Sequence, residues 1–234
     1  MVFSITLIND GSKYEELNKV TSYFGDFINI VNSNGIGYTN VVYNLVNMAK
    51  KEKQFQYLLI SNNDIKFTPS TLYSLTSRMK SNPNIASVGC KVLHWTDDVI
   101  IHTGTRIKKR CENLIENPYC GLSPDDPIAN VTERRLWVNG CCALYNLDIM
   151  RKEDMNFNLE FTPAYFEECD LMTRFNMKGY SVIYEPRAIV RHMVSASHRE
   201  DSNCPIYFNK NWKLYLSKWK KYFDSKMLYF QEGI

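Results

Sequence analysis

No apolar run in this 234-residue chain reaches the roughly 20 residues that cross a bilayer, and Asn9-Asp10 closes the short one after Met1. Neither a secretory leader nor a spanning helix is expected, which makes a cytoplasmic protein the reading. A basic block, a zinc-finger spacing and an arginine-rich arm are also missing, and the net charge is only +3. That removes the case for a nucleic-acid partner. None of the seven cysteines forms Cys-x-x-Cys; Cys141 and Cys142 are adjacent and Cys90, Cys111, Cys120, Cys169 and Cys204 are scattered. Free thiols fit that pattern better than a disulfide framework or a zinc site. Internal repeats and low-complexity segments are absent.

What is present is an ordinary globular composition, 44% hydrophobic and 23% charged, in a chain long enough for one sizeable core. Phe3–Ile8, Phe27–Val31, Tyr57–Ser61 and Ile85–Leu93 read as strands. Helices are expected between them, one from about Thr39 with Val42, Leu45, Val46 and Ala49 on a face, another opened by Thr68-Pro69 with Leu72, Leu75 and Met79. Tyr57-Leu58-Leu59-Ile60 shows almost no polar alternation, as expected inside a parallel sheet. The alternation predicts an α/β fold with a mostly parallel central sheet flanked by helices. Periodicity fades from Trp95 to Arg135, which reads as a long binding loop, and strand character returns over Trp137–Tyr145. Tyr180–Tyr184 and Ala188–His192 read as two strands separated by Glu185-Pro186. The tail after about 205 is basic and aromatic, with Trp212, Tyr215, Leu216, Trp219 and Phe223 on a helix.

The chain is organised around Phe166-Glu167-Glu168-Cys169-Asp170-Leu171, three carboxylates in four positions. Thr162-Pro163 reads as the start of its helix and Gly179 as its end. At helical spacing Glu167, Asp170, Leu171 and Arg174 adjoin, whereas Glu168 shares a side with Leu171, Met172 and Phe175. Glu168 is thus the acid leaning toward the apolar side, where a carboxylate either works or is paired. A capped helix whose early acids favour its dipole has the same composition. Asn62-Asn63-Asp64 follows a buried-looking strand, where ligands bind in open α/β sheets, and His192 ends another strand. Together they offer a carboxylate and an imidazole to a divalent cation; singly, they read equally as a turn and a strand terminus.

These pieces, in this order, resemble a family 2 glycosyltransferase of the GT-A fold, similar to the rhamnosyltransferase-like members of bacteria and large DNA viruses. The Asn-x-Asp metal motif of that family is similar to Asn62-Asn63-Asp64, and its Gly-aliphatic strand to Gly140-Cys141-Cys142-Ala143-Leu144. Its acidic helix resembles Phe166–Leu171 with Arg174 and Gly179, and its closing strand Pro186–His192. The order agrees from about Ile5 to His192. Two departures stand out: Glu168 replaces the usual aspartate base, and the chain starts near the Asp10-Gly11-Ser12 turn, with either a preceding strand–helix unit missing or a later unit shortened.

The resemblance implies a Rossmann-like GT-A catalytic domain over 1–204, with a nucleotide-sugar half (1–94), an acceptor half (95–204) and a helical tail (205–234). It implies a UDP- or dTDP-linked sugar donor, possibly of L-rhamnose, and Mn2+ or Mg2+ on Asp64 and His192. Asp10, Asn34 and Asn62 would meet the donor, and Trp137, Gly140, Glu167 and Asp170 a glycan acceptor. Glu168 would deprotonate the acceptor hydroxyl for attack with inversion. Two other readings stand beside it. A sugar-phosphate nucleotidyltransferase would want a basic glycine-rich loop, and Gly35-Ile36-Gly37 has no arginine nearby. A non-catalytic nucleotide-sugar or carbohydrate-binding protein would not need Asp64, Glu168 and His192 together. The tail is expected either to pack on the domain or to lie on an anionic membrane.

Overall fold

A computed structural model describes residues 3–107, 115–193 and 203–231, with side chains described as far as 225. Cys111 and part of the Trp95–Arg135 loop lie outside the described residues. The chain starts with β1 (Thr6–Asn9), α1 (Tyr14–Phe24), β2 (Asn29–Asn32) and α2 (Tyr38–Lys51). Then come β3 (Tyr57–Ser61), β4 (Ile65–Phe67), α3 (Thr71–Lys80), β5 (Ile85–His94) and β6 (Ile100–His102). Short strands β7 (Arg106–Ile107), β8 (Ile115–Glu116) and β9 (Glu133–Arg135) lead to β10 (Cys142–Asn146) and α4 (Leu147–Lys152). The chain closes with α5 (Glu167–Met177), β11 (Ser181–His192) and α6 (Cys204–Gln231).

The main sheet runs β3-β10-β5-β11-β4, with β6 added to β5 and β9 to β11. It is mixed rather than mostly parallel. β3, β5 and β11 share a direction, but β10 runs antiparallel between β3 and β5, leaving β5–β11 as its one parallel pairing among the described strands. The parallel pair β1–β2 forms a separate two-stranded sheet.

Apolar side chains sort by the two-residue period of a strand. On β10, Ala143 and Tyr145 face a core built with α2, α4, α5 and α6, whereas Cys142 and Leu144 face one capped by Leu75 and Met79 of α3. Val42 and Val46 are buried on α2 as the spacing predicts, with Leu45 and Ala49 packed beside them. Leu72 departs from expectation: α3 starts at Thr71 rather than at Thr68-Pro69, and Leu72 is exposed. The two strands expected around Glu185-Pro186 are one strand, β11, whose pairing with β5 breaks register between Glu185 and Ile189. The strand expected over 137–145 forms only from Cys142, because Gly140 and Cys141 turn beneath α5.

Tyr215 and Phe223 of α6 are wholly buried and Trp219 nearly so, in the same core cluster as α2 and α5. The packing alternative for the tail therefore describes its aromatic face. Among the described residues no helix is long and apolar enough to cross a membrane.

Candidate active site

The turn 62–64 leaves the carboxyl end of β3, and β4 then pairs antiparallel with the end of β11, setting Ile65 opposite His192. Met193 N–H donates to the Asp64 carbonyl at 3.1 Å, locking the two segments together. His192 Nε2 lies 3.2 Å from Asp64 Oδ1. The approach is close, yet Asp64 Oδ1 is buried with no hydrogen-bond partner, so the contact has ion-pair distance without hydrogen-bond alignment. A bare carboxylate oxygen facing an imidazole nitrogen is a donor set suited to Mn2+, which accepts both oxygen and nitrogen. Among the described residues no third His, Cys, Asp or Glu joins them. A cation held here would complete its shell with water and substrate phosphate, the usual condition of such ions at phosphate sites.

Glu168 sits in the first turn of α5. That helix does not start at Thr162-Pro163; two large residues in left-handed conformation, Tyr165 (φ 79°) and Phe166 (φ 69°), precede it. The backbone N–H groups of Glu168 itself, Cys169 and Gly140 lie near its carboxylate and favour the charged form, while Oε2 is buried and without a hydrogen-bond partner. Gly140 packs closely on this acid: a Cβ there would sit 3.1 Å from the Glu168 carboxyl carbon and from Oε1, so the Glu168 side chain would have to give way by a few tenths of an ångström. Burial pushes the Glu168 carboxyl above the usual range, opposed by those N–H donors.

Segment 139–142 joins the two carboxylates. Asn62 N–H donates to the Cys141 carbonyl at 2.9 Å, tying the turn 62–64 to the strand lead-in that touches Glu168. The Cys141 thiol is pushed up by burial first, and then by Cys142, Asp64 and Glu168, so both acids lie near it. After β1, Asp10 takes the N–H groups of Ile36 and Gly37 (3.0 and 3.1 Å) and the Ser33 hydroxyl (2.6 Å). It thereby anchors the turn carrying exposed Asn34 (φ 59°) to the end of β1. Gly37 (φ 85°) lets that turn pass Pro163, 3.0 Å from where a Cβ would be.

Three side chains expected to touch acceptor are buried instead: Trp137 is 6%, Glu167 3% and Asp170 0% exposed. Trp137 packs edge-on against Tyr215. Asp170 takes Arg174 Nε at 2.9 Å, Lys218 Nζ at 2.9 Å and Trp219 Nε1 at 3.1 Å, which engages both its oxygens. Glu167 Oε2 accepts from the Thr39 hydroxyl at 3.2 Å, bracing α5 against the start of α2. All three support the site from below. The helix-side argument had singled out Glu168 as the buried acid, but α6 and α2 cover the other side of α5 even more completely.

Sequence reasoning missed Thr39, Tyr38 and Asn211. Thr39 is wholly buried, and Tyr38 is a phenol held neutral by burial and then by the charges of Glu167 and Glu168. Their only signal was their place just after Gly35-Ile36-Gly37. Asn211, wholly buried on α6, donates to the carbonyls of Phe161 (2.6 Å), Ala164 (2.8 Å) and Tyr165 (3.3 Å), holding the loop before α5.

Burial, followed by the Glu168 charge, pushes Glu167 well above the usual carboxylate range, and burial raises the adjacent Glu168 as well. A carboxyl raised in the folded state gives stability that is fully present below its unfolded pKa and lost as pH rises toward its folded one. Glu167→Gln is expected to match wild type in stability near pH 4 and exceed it at pH 8, measured by urea unfolding at both. Identical pH dependence of the two proteins would mean that Glu167 ionises without cost.

A cavity of about 470 Å³ lined by Tyr57, Lys80, Asn84, Lys152 and Tyr180, among others, opens at the opposite end of the sheet and contains none of these acids. No family model and no curated protein sequence matches the chain. Among solved structures it is similar to GalNAc-T7 with UDP, GalNAc and Mn2+, at 13% identity and TM-score 0.61, over 81% of this chain and 37% of that one. It is also similar to the mannosyltransferase PcManGT from Pyrobaculum calidifontis in complex with GDP-Man and Mn2+, at 15% identity and TM-score 0.53, over 82% and 48%. This chain spans less than half the length of either. Both neighbours are GT-A glycosyltransferases, and the fold of this chain is GT-A.

Proposed function

We propose that this GT-A chain transfers a sugar from a nucleoside-diphosphate sugar to a hydroxyl of a glycan acceptor, in a single displacement that inverts the anomeric centre. The observation that carries the reading is the convergence of Asp64, paired with His192, and Glu168 on the Gly140-Cys141-Cys142 segment. The Mn2+ and the UDP- or GDP-linked ligands of the two structural neighbours support a metal-held nucleotide sugar. The family resemblance favours L-rhamnose carried on dTDP or UDP.

Asp64 and His192 would hold the cation, Mn2+ or Mg2+, and when bound it offsets the charge that develops on the departing diphosphate. Glu168 Oε2, bare and buried, is the oxygen that would take the proton of the acceptor hydroxyl, and Oε1 lies against Gly140. Its raised pKa makes it a stronger base than a surface glutamate. Asp10 and the Asn34 turn form the wall on the donor side.

The test is binding before turnover. UDP-, GDP- and dTDP-sugars are screened by thermal shift with and without Mn2+, since a ligand of the native state raises its melting temperature by mass action. At least one is expected to stabilise the protein only when Mn2+ is present, and Asp64→Ala and His192→Ala are each expected to weaken that effect by about tenfold or more. Mn2+-dependent binding that survives both substitutions would remove these residues from the metal site.

A further inference from the structure

The tail helix does more than cover the core. Phe208 of α6 is 45% exposed and Ile206 63%, although the helix faces buried aromatics one and two turns further on. The Phe208 ring meets Tyr165 edge-on at 5.7 Å and Phe166 at 5.0 Å; Phe166 stacks inward on Trp212 (5.3 Å) and Tyr215 (6.0 Å). The cluster thus has a buried half and an open half. Its open half is Phe208 with the partly exposed Tyr165.

Two features show that this arrangement is imposed rather than incidental. Tyr165 and Phe166 are consecutive large residues at positive φ, 79° and 69°, a conformation that side chains of this size adopt only when their surroundings compel it. Asn211 braces it, its amide nitrogen donating to the carbonyls of Phe161, Ala164 and Tyr165. α6 therefore contributes one ring of the open face and fixes the backbone that presents the other. That backbone runs straight into the acid pair. Tyr165 and Glu168 are three positions apart, so their Cα atoms are at most about 11 Å from each other, a span that a mono- or disaccharide covers.

Resting on the transferase reading, we propose that Tyr165 and Phe208 form the acceptor subsite, stacking the C–H face of a pyranose ring and presenting one of its hydroxyls to Glu168. An aromatic platform with one half-open face suits an amphipathic ligand that is apolar across its ring plane and polar around its rim. It also replaces Trp137 as the aromatic residue at the acceptor, since Trp137 is buried in the core.

The probes are the p-nitrophenyl glycosides of glucose, galactose, mannose, N-acetylglucosamine and rhamnose, titrated by saturation-transfer NMR against the full chain. Wild type is expected to bind at least one of them saturably. Phe208→Ala should raise the half-saturating concentration about tenfold, a loss of the size of one aromatic contact, and Phe208→Trp should restore it. Ile206→Ala, on the same exposed turn but outside the ring cluster, should leave it unchanged. Phe208→Leu, which keeps apolar bulk without a ring, covers the case in which the alanine variant fails to fold. Mn2+-dependent nucleotide binding, measured in parallel, should be the same in all variants. Its absence from wild type would refute the transferase reading itself. Nucleotide binding that is intact, with glycoside affinity equal in wild type, Phe208→Ala and Phe208→Leu, would overturn the subsite alone. So would the absence of saturable glycoside binding by wild type. Flotation with anionic vesicles that Phe208→Ala abolishes while glycoside binding is untouched would also overturn it, in favour of a membrane-facing patch.

Discussion

Glu168→Gln is expected to lower the turnover of sugar transfer by about 10²–10⁴, the usual contribution of a positioned general base, with nucleotide and Mn2+ affinity nearly unchanged. The substitution keeps the shape of the side chain. Its amide oxygen can still face the N–H of Gly140, and its NH2 would occupy the place of the partnerless Oε2. What it removes is the lone pair that takes the acceptor proton. Glu168→Asp probes distance instead: the carboxylate is retained but withdrawn by one methylene from Gly140, so transfer should fall less than with glutamine. The pH profile gives an independent reading. Because burial raises the Glu168 pKa, the acid limb of kcat/KM should lie above the usual carboxylate range in wild type. Activity is then present above that limb and lost as pH falls through it, and the glutamine variant should lack the limb. Initial rates with a confirmed acceptor decide the matter. Near-normal transfer by Glu168→Gln, together with transfer abolished at Glu167→Gln, would move the base to the neighbouring acid.

The largest stability effect is expected at Asp170. Asp170→Ala should cost about 3–5 kcal/mol, the loss typical of removing one member of a buried ionic cluster. The carboxylate is wholly buried and its oxygens gather Arg174, Lys218 and Trp219 Nε1, joining α5 to α6. With it gone, two cations and an indole N–H lose a common partner. Part of the loss is relieved, because Arg174 also donates to the Asn156 carbonyl at 2.5 Å and Lys218 reaches Glu160 at 3.3 Å. Those contacts place the result toward the lower end of the range. Urea unfolding of the full chain measures it. Unchanged stability accompanied by a raised KM for acceptor would instead assign Asp170 to substrate, as the sequence pattern had suggested.

The elements themselves were legible because each rests on local periodicity. Val42 and Val46 on α2 and the aromatic stripe of α6 follow from spacing within one segment, and the structure places them as that spacing requires. The unalternating run Tyr57–Ile60 misled: β3 ends the main sheet, paired antiparallel with β10, and its first three residues are half-buried. Motif order was legible too: Asp64 and His192, 128 positions apart, meet because both close strands at one end of the sheet. Strand direction was not. Nothing within Cys142–Asn146 states that it runs antiparallel between β3 and β5, since the side-chain period of a strand is the same in either direction.

The roles of the three acids needed the tertiary structure most. On an isolated α5, Glu168 points to the apolar side and Glu167 and Asp170 to the other, which made Glu168 the acid leaning inward, while the family resemblance implied that the other two meet acceptor. In the folded chain both sides of α5 are covered, by Thr39 of α2 on one flank and Lys218 and Trp219 of α6 on the other. Helix geometry decides which side chains share a face. Which face meets solvent depends on segments more than 40 positions away, and their contacts leave the bare oxygen on Glu168.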